Sequence, residues 1–259
     1  MRWNSSETRR RGRCLLAALW LAGAAAAAPA AAQDEDRAFS WTAEVETSSR
    51  YLWRGIPWSG GAVLQPSFGV SADGWTFELW ANFNLADAGA RGLDEIDLSL
   101  SYLKEWPGLM LEPGLNVFAY PGAAGGEDPP TVEAVLKAGL RLAGPVSIIF
   151  EQALDLGAYP GGYYAEAGLG LDLELLPEVA LEAAVSQSFG SKAFNRAYWD
   201  VSRGLLDAAF LRAALTWSIG GGIFVRARIE EAVLTGEPLR EAAGRGSFFS
   251  FGLALGLEH

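Results

Sequence analysis

Tyr163–Leu175 reads YYAEAGLGLDLEL. From Ala165 the odd positions are Ala165, Ala167, Leu169, Leu171, Leu173 and Leu175. The even positions are Tyr164, Glu166, Gly168, Gly170, Asp172 and Glu174. A period of two sends successive side chains to opposite faces, so this stretch is a strand with one greasy and one hydrophilic face. The pattern recurs on both sides of it. Ile96, Leu98, Leu100 and Tyr102 alternate with Asp97, Ser99 and Ser101. Val132–Leu142 alternates apolar residues with Glu133, Lys137 and Arg141. In Phe249–Leu257 the odd positions are Phe249, Phe251, Leu253, Leu255 and Leu257, against small even ones.

Twelve such strands are predicted, at 39–54, 62–72, 75–86, 93–106, 109–120, 131–143, 146–157, 163–175, 179–190, 205–219, 222–233 and 247–258. They exceed the usual globular strand of about 5–6 residues. They suit a tilted membrane-spanning strand of ~9–11 residues with projecting ends. The connections alternate in length. Long ones are Gly55–Gly61, Asp87–Gly92, Pro121–Pro130, Ala158–Gly162, Ser191–Gly204 and Leu234–Gly246. Short ones are Asp73-Gly74, Pro107-Gly108, Gly144-Pro145, Leu176–Glu178 and Gly220-Gly221. Such sorting is expected of an all-β, antiparallel up-and-down transmembrane β-barrel, with tight periplasmic turns and larger external loops. An even strand count puts both termini on the periplasmic side. Aromatic belts are expected at Trp41, Trp75, Trp106 and Phe249 near the short turns. At the other end they are expected at Trp53, Trp58, Tyr120, Tyr159, Tyr163, Tyr198 and Trp199.

Composition narrows the function. The 259 residues are 50% hydrophobic, with 31 acidic and 20 basic side chains and a net charge of −11. An acidic chain argues against nucleic acid as a partner, because that binding runs on phosphate neutralisation. Arg2, Arg9, Arg10, Arg11 and Arg13 precede the apolar run Leu15–Ala28 and the small residues Pro29–Ala32. This is the pattern of a cleaved secretory signal peptide over 1–32, leaving 33–259 as the barrel. Removing it takes away five arginines and one glutamate, moving the net charge from −11 to −15. Cys14, the single cysteine, leaves with it.

With the apolar face toward lipid, the polar face lines the interior. The expected pore-lining acids are Glu44, Glu46, Glu78, Asp97, Glu112, Glu133, Glu151, Asp155, Glu166, Asp172, Glu174, Glu182 and Glu230. The expected inward bases are Arg50, Arg54, Lys137, Arg141, Arg212, Arg226 and Arg228. A dry interior does not hold so many ions, so water or a dense ion-pair network is required. Twelve strands also enclose more than the eight that side chains just fill. A narrow aqueous pore with an acidic, cation-favouring lumen is therefore expected. Two residues break the parity: Gln152 and Asp207 both fall on the apolar face. Loop Ser191–Gly204 either folds inward as a constriction or stays outside as a lid.

Ser48–Phe68, SSRYLWRGIPWSGGAVLQPSF, resembles the opening hairpin of the TorF-like porin family of the proteobacterial outer membrane. The matching residues are Tyr51, Arg54, Gly55 and Gln65; Pro66 and the terminal His259 depart from the pattern. The resemblance covers about 20 residues in detail. It implies an outer-membrane barrel with channel activity. In the same hairpin Gly55 allows the turn, Arg54 points into the lumen mouth, and Gln65 is placed to hydrogen-bond it.

The leading expectation is a porin-like channel for passive diffusion of small polar solutes or ions. Its partners would be outer-membrane lipid, those solutes or cations, and the barrel-assembly machinery. The alternative is a structural or ligand-binding barrel without open-pore transport. A soluble secreted barrel for an apolar ligand is a third reading. An enzyme is not expected, since the single histidine is the last residue and no carboxylate spacing marks a catalytic pair. No cofactor or metal ligand set is visible, and Asp34–Asp36 and Glu127-Asp128 read as solvated charges. N-terminal sequencing of the exported protein should begin at Gln33; a start at Met1 would contradict the cleaved signal.

Overall fold

The computed structural model describes residues 39–86, 92–121 and 129–259. The expected signal peptide and the acidic stretches 34–36 and 127–128 lie outside the described residues. The chain runs β1 (Phe39–Ser48), β2 (Leu52–Trp53), β3 (Ile56–Pro57), β4 (Val63–Ala72), β5 (Trp75–Asn84), β6 (Gly92–Tyr102), β7 (Lys104–Trp106) and β8 (Leu109–Ala119). It continues with β9 (Thr131–Ala143), β10 (Val146–Asp155), β11 (Tyr163–Leu176) and β12 (Val179–Gly190). The helix α1 (Lys192–Trp199) follows, then β13 (Leu205–Gly220), β14 (Ile223–Leu234), α2 (Glu237–Ala243) and β15 (Ser247–Glu258).

Twelve long strands form the wall. Each pairs antiparallel with its chain neighbours, β6 pairs with β8, and β1 pairs with β15 to close the ring. The strand β7 continues β6, and β2 with β3 forms a separate hairpin. Closure removes the sheet edge, the condition under which strands cross hydrocarbon. The tight turns obey local chemistry. Asp73 and Gly74 both have positive φ, 51° and 84°, which a two-residue hairpin of the I′ type requires.

The greasy face is outside. Leu98 is 39% exposed and Leu253 60%, whereas their neighbours Asp97 and Ala254 are each 2% exposed. The two parity breaks have separate causes. Gln152 does face outward, and its amide oxygen accepts a hydrogen bond from the Tyr163 hydroxyl at 3.0 Å. Asp207 does not face outward. A register shift between Gln187 and Phe189 brings Ala209 and Leu206 opposite them, and this bulge turns Asp207 inward, where it is 1% exposed.

Three expectations need correction. The first strand ends at Ser48, not at 54, and residues 51–56 are all buried. The alternation runs on because β2–β3 is itself extended chain, but that hairpin lies inside the barrel. Second, Trp53, Trp58, Tyr120, Tyr198 and Trp199 are not belt residues; they belong to a buried or half-buried cluster. Third, Phe249 opens β15 beside the long connection Leu234–Gly246, so it sits at the long-loop end. The belt beside the short turns holds exposed Trp75, Trp106 and also Trp217.

Arginine for Leu253, in the middle of the outer wall, should cost about 2–4 kcal/mol, and arginine for rim residue Leu257 about 1 kcal/mol or less. Urea unfolding from lipid vesicles measures both; equal costs would contradict a lipid-facing band.

Candidate functional site: the barrel interior

The interior is built in three layers. At the long-loop end lies a plug of inward-folded connections. After Ser49 the chain turns in, and Trp53-Arg54-Gly55-Ile56 makes a tight turn between β2 and β3. Arg54 and Gly55 both have positive φ, 53° and 81°. A Cβ on Gly55 would lie 3.2 Å from the Ala208 side chain, so the tip abuts β13 on another part of the wall. The motif residues Arg54 and Gly55 are thus the tip of an internal hairpin, not of a rim turn. The long loop 191–204 also folds inward. Ser191 caps α1 by accepting from the Phe194 N–H at 3.2 Å. Phe194 then packs on Trp53 with centroids 6.0 Å apart, and Tyr198 packs on the same indole at 4.8 Å. Burial pushes the Tyr198 phenol well above its usual range, with Glu133 adding to the effect. The helix α2 adds fully buried Leu239.

The middle layer is ionic. Arg54 donates to both oxygens of Glu133, at 2.8 and 2.7 Å, and lies 4.0 Å from Glu151. Its guanidinium sits 4.5 Å from the Trp53 ring centroid and 4.6 Å from that of Tyr164. Arg212 pairs with Glu166 and lies 3.3 Å from Glu230. Glu166 also accepts from Tyr164 and Ser186, each at 2.6 Å. Arg226 donates to Glu44 at 2.9 Å, and Arg228 to Glu46 at 2.6 Å. These pairs are nearly solvent-free, with side chains mostly under one-tenth exposed. A bidentate pair of this kind is strong because each partner would otherwise be a bare buried charge.

The third layer, toward the short turns, holds Glu78, Glu112, Lys137, Arg141, Asp172 and Glu182, all half-buried although they lie on inward parity. Glu112 accepts from the Ser101 hydroxyl at 2.7 Å. Glu174 lies still nearer the turn and is exposed.

Of the acids and bases picked from alternation, Glu44, Glu46, Arg54, Asp97, Glu133, Glu151, Asp155, Glu166, Arg212, Arg226 and Glu230 are buried, and some hold places of their own. Arg50 follows the end of β1, and its carbonyl accepts from Ser250 at 2.8 Å. Asp155 organises a loop: it accepts from Thr131 at 2.7 Å and from the backbone of Gly157 and Tyr159 at 2.8 and 3.0 Å. Gln65 does not meet Arg54. Its amide donates to Asn82 at 3.0 Å, and Asn82 in turn donates to Asp94 at 2.6 Å. Glu95 and Asp94 escaped the sequence reading. The register slips between Asn82 and Phe83, whose partners are Glu95 and Leu93, so an extra acid is squeezed into β6. Among the described residues no group of three or more Asp, Glu, His or Cys side chains is placed to hold a metal ion.

A closed wall of twelve long strands, greasy outside and ionic inside, defines a transmembrane barrel of the porin type. Solved structures, two of them porins, share the fold. NanC porin matches at a TM-score of 0.54 and 11% identity, covering 83% of this chain and 97% of that one. KdgM porin, in complex with disordered oligogalacturonate, matches at 0.51 and 9%, covering 85% and 98%. LpxR from Salmonella typhimurium matches at 0.50 and 10%, covering 83% and 99%. No curated protein sequence matches. The family model that does match is that of the bacterial proteins of unknown function termed Gcw_chp, over residues 32–242, and the chain belongs to this family.

Glu133→Gln removes the charge opposite Arg54 and should destabilise the barrel by about 3 kcal/mol. The double change Arg54→Met with Glu133→Leu should recover most of that loss, since the bidentate pair goes as a unit and Glu151 keeps Lys137 beside it in register. Urea midpoints of the three proteins in detergent decide; a double variant no more stable than Glu133→Gln would mean that the unpaired charge is not what destabilises.

Proposed function

We propose that the protein is an outer-membrane channel for passive diffusion of small polar solutes, favouring cations through its acidic lumen. The observation that carries this is the third interior layer. Ionisable side chains that point inward yet are only half-buried are what a water-filled vestibule produces, and a sealed core does not. Acids outnumber bases in that layer: Glu78, Glu112, Asp172 and Glu182 stand against Lys137 and Arg141. Low-dielectric walls focus such a field and raise the local cation concentration. The plug sets the constriction in this reading, with Arg54 and Glu133 at its narrow part.

Export by the signal peptide, insertion by the barrel-assembly machinery, periplasmic termini and a location in outer-membrane lipid belong to the same proposal. The Tyr51, Arg54, Gly55 and Gln65 set supports a place near the TorF-like porins. One observation favours a second reading, a ligand-binding barrel without open transport: the aromatic plug occupies the long-loop end of the interior.

Planar-bilayer recording separates the two. A channel gives discrete conductance steps. Replacing the tip Trp53–Ile56 by Gly-Gly should then raise the step size roughly twofold as the constriction widens. Glu78→Gln with Glu112→Gln should move the reversal potential in a salt gradient toward zero. Silence at every voltage, in wild type and tip variant alike, would leave the second reading.

A further inference from the structure

One wall of the interior carries acids with buried oxygens that no hydrogen-bond donor reaches. On β6, Glu95 and Asp97 face inward two residues apart and are each 2% exposed. Both oxygens of Asp97 and Oε2 of Glu95 lack any hydrogen-bond donor, as does Oε1 of Glu78 on the neighbouring β5. Glu78 pairs in register with Ser99 and Trp80 with Asp97, so Glu78, Asp97 and Glu95 step up one wall in sequence. The four arginines of the ionic layer are committed elsewhere: Arg54 to Glu133, Arg212 to Glu166, Arg226 to Glu44 and Arg228 to Glu46.

The surroundings of this ladder are aromatic. Asp97 is flanked in register by Trp80 on β5 and Phe118 on β8. The Tyr51 ring packs at a tilt against Trp80, with centroids 5.3 Å apart, and Tyr51 also hydrogen-bonds Glu95. Carboxyl oxygens buried without donors leave acceptor positions that a ligand bringing both positive charge and N–H groups would fill. Ring faces beside them favour a cation with a thin hydration shell over a strongly hydrated metal ion. The acids are also too few and too spread for a metal cage among the described residues.

We infer that Glu95 and Asp97, with Glu78 as the step below and Trp80, Phe118 and Tyr51 around them, form a binding site for a small organic amine. Alternate residues of a strand place Glu95 and Asp97 about 7 Å apart, which suits the two ammonium groups of a short diamine. Half-buried Glu78 links the ladder to the wet layer near the short turns, and that is the path of entry. The assignment rests on reading that layer as open to solutes.

The test is calorimetric titration of putrescine into the full-length mature barrel in detergent, alongside sodium chloride at matched ionic strength. Saturable binding of putrescine is expected, weakened about tenfold or more in both Asp97→Asn and Glu95→Gln. The change Glu105→Gln, at an exposed residue of β7, should leave it unaltered. Circular dichroism establishes that each variant retains the barrel, and either amide variant alone suffices. Three results overturn the site: no saturable heat in the wild type, equal affinity in a folded amide variant, or an equal response to sodium. Conductance of the same samples keeps the two proposals apart. Current without putrescine binding removes the site and leaves the channel; binding without current does the reverse.

Discussion

Hydrocarbon offers no partner to a backbone N–H or carbonyl, and this constraint governs the molecule. A wall of strands satisfies it only by closing, so β1 must meet β15 and β6 must meet β8. Closure then dictates everything about side chains. One face of every strand meets lipid and the other meets the enclosed space, so polarity is sorted residue by residue rather than region by region. The enclosed space inherits every charge that the outer face refuses.

What to do with that charge is the second problem, and the chain answers it differently at each depth. Midway, arginines and glutamates two strands apart pair over the strand between them; Arg226 on β14 meets Glu44 on β1 over β15, although they are 182 residues apart in sequence. Toward the short turns, side chains keep part of their hydration instead. At the long-loop end, charge is displaced by rings: the hairpin tip, α1 and α2 bring Trp53, Phe194, Tyr198 and Leu239 inside. Arg54 joins the two upper layers, lying on the rings of Trp53 and Tyr164 while it grips Glu133. The wall at β6 is the exception, where both oxygens of buried Asp97 and one of Glu95 have no donor.

Periodicity made the wall legible. All twelve long strands fall where alternation puts them, and the sorting of loop lengths matches the observed ends. Alternation also named the residues of the buried ion pairs, among them Arg54 with Glu133 and Arg226 with Glu44. It failed where the chain leaves the wall. Tyr51, Leu52 and Trp53 continue the pattern of β1 yet belong to an inner hairpin buried on every side. Asp207 and Glu95 lie beside bulges, and one extra residue resets or crowds the parity without leaving a mark in composition. Gln65 was paired with Arg54 by nearness in sequence, whereas the sheet gives it Asn82.

The sequence by itself determined the strands, their two-faced character, and hence the greasy outside and charged inside, because a period of two is a local property of the backbone. Only the tertiary structure decided which arginine meets which glutamate, that loops 49–61 and 191–204 turn inward, and that Asp97 stands without a donor. Those depend on distances across a closed ring. Such distances are set by registers and bulges summed around twelve strands, which no short stretch of chain encodes.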